Sequence, residues 1–130
     1  MKLALITDIH ANREAFEAVL DEVERHGADA YALLGDFVGY GADPAWVVDR
    51  VRALVAAGAI AVKGNHDKAV VDGPRDTMNS DAQRAIEWTR GQLDAAQIDF
   101  LAKLPYTVER HGCLFVHANA YAPEQWEYVT

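Results

Sequence analysis

The 130-residue sequence contains one cysteine, Cys113. An intrachain disulfide framework is therefore excluded, and so is a thiolate-rich structural zinc site. Cys113 lies between Gly112 and Leu114, with no neighbours that suggest a catalytic triad or a redox pair, and is expected to be a buried structural thiol. Long hydrophobic runs are also missing. Stretches such as Ala53–Ala57 fall far short of the ~20 apolar residues needed to cross a bilayer, so no membrane partner is expected. Met1 leads straight into Lys2-Leu3-Ala4-Leu5-Ile6 and then polar residues, which is not a secretory leader pattern; the cytoplasm is the expected compartment.

Clustered positive charge is absent as well. The net charge is −8, from 12 Lys and Arg against 20 Asp and Glu, which speaks against binding duplex nucleic acid. There is no glycine-rich phosphate loop ending in Lys-Ser/Thr, and Gly35–Gly41 lacks the dinucleotide spacing, so a nucleotide-binding module of either kind finds little support. No repeat, low-complexity tract or linker divides the chain, and residues 1–130 are taken as a single domain.

What is present is alternation. Leu3–Ile6 suits a buried strand, and Asn12 then caps a helix whose apolar positions are Ala15, Phe16, Val19, Leu20 and Val23. Ala30–Leu34 is a second strand. Asp43-Pro44 opens a second helix with a carboxylate cap and a proline at its first position, and Ala59–Val62 is a third strand. Ser80 with Gln83, and Asp94 with Gln97, resemble capping boxes for two further helices, before Tyr106–Arg110 and Cys113–His117 form two strands joined at His111-Gly112. The expected fold is α/β: a β-α-β-α-β start with parallel strands and helices packed on the sheet, then two helices and two strands.

In such sheets, functional groups collect beyond the carboxyl ends of the strands. Asp8 and His10 follow the first strand, Gly35-Asp36 the second, and Gly64-Asn65-His66-Asp67 the third, while His117 ends the last. Taken singly, each group has an ordinary explanation as a turn or a solvated polar residue. Together they bring oxygen and imidazole donors to one edge, a mixture suited to Mn²⁺, Fe, Zn²⁺ or Ni²⁺.

These blocks resemble the calcineurin-like metallophosphoesterases, whose ordered motifs are D-x-H, G-D-x-x-x-x-G, G-N-H-D/E and a lone H, followed by G-H-x-H. The first four are present as Asp8-Ile9-His10, Gly35–Gly41, Gly64-Asn65-His66-Asp67 and His117. The continuation Tyr40-Gly41-Ala42-Asp43-Pro44 looks like a bacterial branch of small phosphodiesterases. The resemblance implies two divalent ions, manganese foremost, and hydrolysis of a phosphate ester, a phosphodiester in the first place, by a hydroxide held between them. Asp8 and His10 would bind one ion, Asn65 and His117 the other, and Asp36 would bridge both. His66 would contact the phosphate and assist the leaving group. The implied partner is a phosphate-ester small molecule or a nucleotide. Without metal the acidic ligands would repel each other, so the metal-free chain is expected to be less stable.

The sequence departs from the pattern in three places. Ala11 replaces the usual glycine after D-x-H, Ala118-Asn119 replaces the usual small residue and serine, and there is no G-H-x-H block. Two histidine ligands are thus unaccounted for, with His26, His111 and Asp99 as substitutes on paper only. The expectation is a truncated domain or a natural short form, with an exposed sheet edge through which copies could associate. The alternative function is a non-catalytic member of the fold that binds a protein partner. Phe37, Tyr40, Trp46 and Trp126 could form a base-stacking rim or pack in the core.

Overall fold

The structure, a computed structural model, describes residues 1–130. Its elements run β1 (Leu3–Ile6), α1 (Arg13–Arg25), β2 (Ala30–Leu33), α2 (Pro44–Ala56), β3 (Ile60–Ala61), α3 (Asn65–Asp72), α4 (Ser80–Gln92), α5 (Ala95–Lys103), β4 (Thr107–Arg110) and β5 (Cys113–Val116). The first three strands form a parallel sheet in the order β1-β2-β3, with Leu5 opposite Ala32 and Ala32 opposite Ile60. β4 and β5 form a separate antiparallel hairpin, with Val108 opposite Phe115.

Strand pleating divides the apolar residues between two faces. Ile6, Leu33 and Ala61 face a core built with Phe16 and Leu20 of α1, Val47, Val48, Val51 and Leu54 of α2, and Val70, Ile86 and Leu101 of the later helices. Each fully buried side chain of this size contributes about 1.5–3 kcal/mol. On the other face, Ala32, Ile60 and Val62 are covered by Phe115 and Val108 of the hairpin. The Lys63 amide donates to the Pro105 carbonyl at 2.8 Å, and the Arg110 guanidinium donates to the Gly58 carbonyl at 3.2 Å; both tie the hairpin to β3. That cover does not reach β1, whose Leu5 is 62% exposed and whose outer edge has no strand partner.

Several local expectations need correction. Three helices, not two, separate β3 from the hairpin, because the Asn65–His66–Asp67 segment opens α3 instead of a simple turn. The cap of α4 is Asn79, which accepts from the Ala82 amide; Ser80 is already helical. Asp43 precedes Pro44 as expected but makes no side-chain cap bond. Cys113 is exposed, because it sits at the end of the hairpin, beyond the part that packs on β3. The Asp94–Gln97 capping box forms reciprocally, with bonds of 2.8 and 2.9 Å.

Candidate metal centre

The loops after β1 and β2 stay paired beyond the sheet. The amides of Asp8, His10 and Ala11 donate to the carbonyls of Gly35, Asp36 and Phe37 at 3.1, 2.9 and 2.8 Å. This locks Asp8 and His10 alongside Asp36. The geometry forces left-handed backbone on residues that are not glycine: Asp8, His10, Ala11, Asp36 and Tyr40 have φ of 55, 48, 55, 54 and 66°. Such a conformation costs roughly 1–2 kcal/mol per residue, and its concentration here marks a place where side-chain direction outranks backbone comfort. Ala11 shows why glycine is the easier choice there, and the Asn12 cap forms regardless, accepting from Ala15 at 3.0 Å.

The loop is fastened from below by Asp67. Its carboxylate is fully buried and accepts the amides of Asp36 (2.8 Å), Phe37 (2.9 Å) and Gly64 (2.9 Å). Burial first, and then the neighbouring Asp36 charge, push its carboxyl up to about 7 against the pull of these amides. Asp67 therefore points into the fold and holds the loops together, away from the donor cluster. Gly64 leaves room for this arrangement: a Cβ there would stand 2.1 Å from Asp36 Oδ1.

Above this support the donors converge on Asp36, which is 3% exposed. His10 Nε2 lies 3.6 Å from both Asp8 Oδ1 and Asp36 Oδ2. His117 Nε2 lies 3.5 Å from the same Asp36 Oδ2. The Asn65 amide group is within 3.2 Å of both His117 Nε2 and Asp36 Oδ2, and turned one way it offers its oxygen. Two triplets thus share one carboxylate: Asp8, His10 and Asp36, and Asp36, Asn65 and His117.

The imidazoles are already oriented for ligation. His10 Nδ1 meets the Val38 carbonyl at 2.9 Å, and His117 Nδ1 meets the Leu34 carbonyl at 2.7 Å. A carbonyl can only accept, so each Nδ1 carries a proton, and Nε2, turned toward Asp36, is the nitrogen that would ligate once it carries none. Burial opposes a charge on His117, yet the adjacent Asp36 carboxylate and the Leu34 carbonyl raise its pKa to about 9. Burial likewise opposes ionisation of Asp36, but the His117 ring and the His66 amide, which donates to Oδ1 at 2.9 Å, prevail and hold its carboxyl below the usual range. The cluster is one that holds a positive charge between its members.

His66 is wedged between two rings, with centroids 4.9 Å from both His10 and Tyr40. Its Nδ1 is buried without a partner, close to Gly39, where a Cβ would come within 2.5 Å of it. A buried N–H with no acceptor costs more than a bare lone pair facing apolar atoms, so the proton sits on Nε2. Burial lowers the pKa of His66, which keeps the ring neutral.

All six residues expected at the site, Asp8, His10, Asp36, Asn65, His66 and His117, come together. The paper substitutes do not join them: His26 bonds Glu22 at the end of α1, Asp99 pairs with Lys103 on α5, and His111 is in the hairpin turn. The aromatic residues divide. Phe37 is buried in the core, and Trp46 packs against Phe16 under the Arg13 guanidinium. Tyr40 is 55% exposed beside His66, while Trp126 lies 6.1 Å from His117 between ring centroids. Asn119 holds Trp126 there by donating to the Glu127 carbonyl and accepting the Ala122 amide, at 2.8 and 2.7 Å. An isolated Asn in the sequence gave no sign of this role.

The donor set fits divalent metal. Each triplet offers three nitrogen or oxygen donors from segments tied together by backbone hydrogen bonds, and His10 and His117 both turn Nε2 toward Asp36. A family model described as calcineurin-like phosphoesterase matches residues 1–128. An uncharacterised protein of Methanocaldococcus jannaschii, MJ0912, is 38% identical over 132 aligned positions, covering 98% of this chain and 53% of that protein. The crystal structure of a metallophosphoesterase from Sphaerobacter thermophilus is 39% identical with a TM-score of 0.82, over 99% of this chain and 51% of its own. The crystal structure of hypothetical protein PH1004 from Pyrococcus horikoshii shares the fold alone, at 19% identity and a TM-score of 0.71, over 82% of this chain and 48% of its own. The chain spans about half the length of these relatives. Its ordered motifs, its fold and the match along nearly its whole length agree: the chain belongs to the calcineurin-like phosphoesterase family.

Proposed function

We propose that the chain hydrolyses phosphate esters, phosphodiesters in the first place, with two divalent ions, manganese foremost, for which Asp8, His10, Asp36, Asn65 and His117 would be the ligands. The observation that carries this reading is the position of Asp36. It is nearly buried, with Nε2 of His10 and Nε2 of His117 3.6 and 3.5 Å from the same carboxylate oxygen. Asp8 and His10 would hold one ion and Asn65 and His117 the other, with Asp36 within reach of both sets. Bound there, divalent ions supply Lewis acidity: they acidify water and offset the charge of a phosphoryl group.

The remaining work falls to the chain itself. His66, neutral and protonated on Nε2, donates a hydrogen bond to a phosphoryl oxygen and so orients the ester. The Val38 and Leu34 carbonyls keep His10 and His117 from turning away. Support for a diester comes from the Tyr40-Gly41-Ala42-Asp43-Pro44 continuation of the second motif.

The test is hydrolysis of bis(p-nitrophenyl) phosphate with Mn²⁺, before and after chelation, in the wild type and in Asp36→Asn. Turnover that needs metal is expected, with a loss of about 10²–10³-fold or more in the variant, the scale of removing a group that stabilises transition-state charge. A variant as fast as the wild type would remove Asp36 from the chemistry. No metal-dependent turnover in folded wild type would overturn the hydrolase reading for this chain.

A further inference from the structure

Beside His66 a cleft of about 380 Å³ opens, a size that suits a small organic ligand. Its walls include Asn65 and His66 on the metal side, Tyr40 and Trp126, and Arg75 from the loop before α4. The state of Arg75 is unusual in this molecule. Arg13, Arg25, Arg52, Lys68 and Lys103 pair with carboxylates, and Lys2, Lys63 and Arg110 donate to carbonyls. Arg50, Arg84 and Arg90 have no such partner and are exposed. Arg75 alone is both partly buried and without an ion pair or side-chain hydrogen bond, in a chain of net charge −8. The one carboxylate on the cleft wall, Glu127, is instead engaged by the Tyr121 hydroxyl at 2.9 Å.

A guanidinium partly withdrawn from water and left unpaired is a binding group for an anion, in particular a phosphate that can take two of its N–H donors. Tyr40 and Trp126 give the same cleft flat apolar walls. Trp126 is held there with a left-handed backbone, φ 61°, an uncommon conformation for so bulky a residue.

We infer that this cleft selects a nucleotide carrying a second phosphate. The base lies against Trp126 and Tyr40, and Arg75 binds the phosphate that does not react. This rests on the hydrolase reading above. In the reaction, the phosphorus–oxygen bond to one substituent breaks and the oxygen of water bonds to phosphorus. The departing oxygen takes up a proton. Arg75 is a specificity determinant outside those steps.

The test is calorimetric titration of the Mn²⁺-loaded chain with three probes: α,β-methylene-ADP, AMP and methylenediphosphonate, which has two phosphonates and no base. Arg75→Gln is expected to weaken α,β-methylene-ADP by about tenfold or more, the scale of losing a charge-assisted hydrogen bond, while AMP changes by less than about twofold. Arg75→Lys should recover part of the loss. Trp126→Ala should weaken both nucleotides and leave methylenediphosphonate unchanged. The inference is overturned if Arg75→Gln binds α,β-methylene-ADP as the wild type does, or if methylenediphosphonate binds as tightly as the nucleotide. Bis(p-nitrophenyl) phosphate turnover separates the two readings. Its absence in the wild type removes the hydrolase, whereas normal turnover with an indifferent Arg75 removes only the nucleotide preference.

Discussion

Asp67 shows how a residue in a metal-site motif can serve the site without touching it. Its buried carboxylate accepts three short backbone bonds from Asp36, Phe37 and Gly64, and a longer one from Val38 at 3.4 Å. Asp67→Ala leaves those amides buried without an acceptor, at about 1–3 kcal/mol each before the loop relaxes. A stability loss of about 4 kcal/mol is therefore expected in urea unfolding, a large share of the 5–15 kcal/mol typical of a domain. A loss below about 1 kcal/mol would mean that the amides find other partners. The convergence of Asp8, His10, Asp36, Asn65, His66 and His117 was legible from residue type and order, because they follow successive strand ends. The function of Asp67 was not, since a carboxylate next to Asn65 and His66 reads as part of the same site until its direction is known. Asn119 escaped for a related reason: its role depends on hydrogen bonds that close an irregular turn, which has no periodic signal.

Among the elements, α3 is the instructive case. Its sequence, Asn65-His66-Asp67-Lys68-Ala69-Val70-Val71-Asp72, is poor in strong helix formers, and its first residues are common in turns. Tertiary contacts override that weakness. Asp67 in the first turn accepts the Gly64 amide, half of a capping box, and Val70 is buried in the core four residues after His66. The helix start and its Gly73 terminus could have been read as signals, but the motif's chemistry obscured them. The cap of α4 was misplaced by one residue for a simpler reason: Asn79 and Ser80 are both good caps, and only the fold chooses between them. Asn79→Ala should cost about 1 kcal/mol, whereas Ser80→Ala should stay within about 0.5 kcal/mol. Thermal unfolding of the two variants side by side distinguishes them, and equal losses would contradict the assigned cap.

At the scale of the whole molecule, the alternation of short strands and helices was enough to specify a parallel sheet, because strands joined by helical crossovers can hardly pair otherwise. It could not specify how the terminal hairpin sits. β4 and β5 pair only with each other, and they pack on β3 through Phe115 and Val108, an arrangement set by contacts distant in sequence. The fold then places the donor cluster where four separate segments meet: the loop after β1, the loop after β2, the start of α3 and the end of β5. Ions bound at the two triplets, joined through Asp36, would cross-link all four, so they would stabilise the native state and find no such site in the unfolded chain. At a Mn²⁺ concentration a hundred times its Kd, the gain is about 2.7 kcal/mol. For a domain of this size that corresponds to a rise in Tm of roughly 10 °C over the chelated protein. Asp36→Asn should abolish most of that rise, because both triplets lose their shared carboxylate, while Asp67 still fastens the loops. A scan with and without Mn²⁺ reads this directly. If Mn²⁺ leaves the wild-type Tm unchanged, the cluster does not hold the ion. If the variant keeps the full rise, Asp36 is not the residue that joins the two triplets.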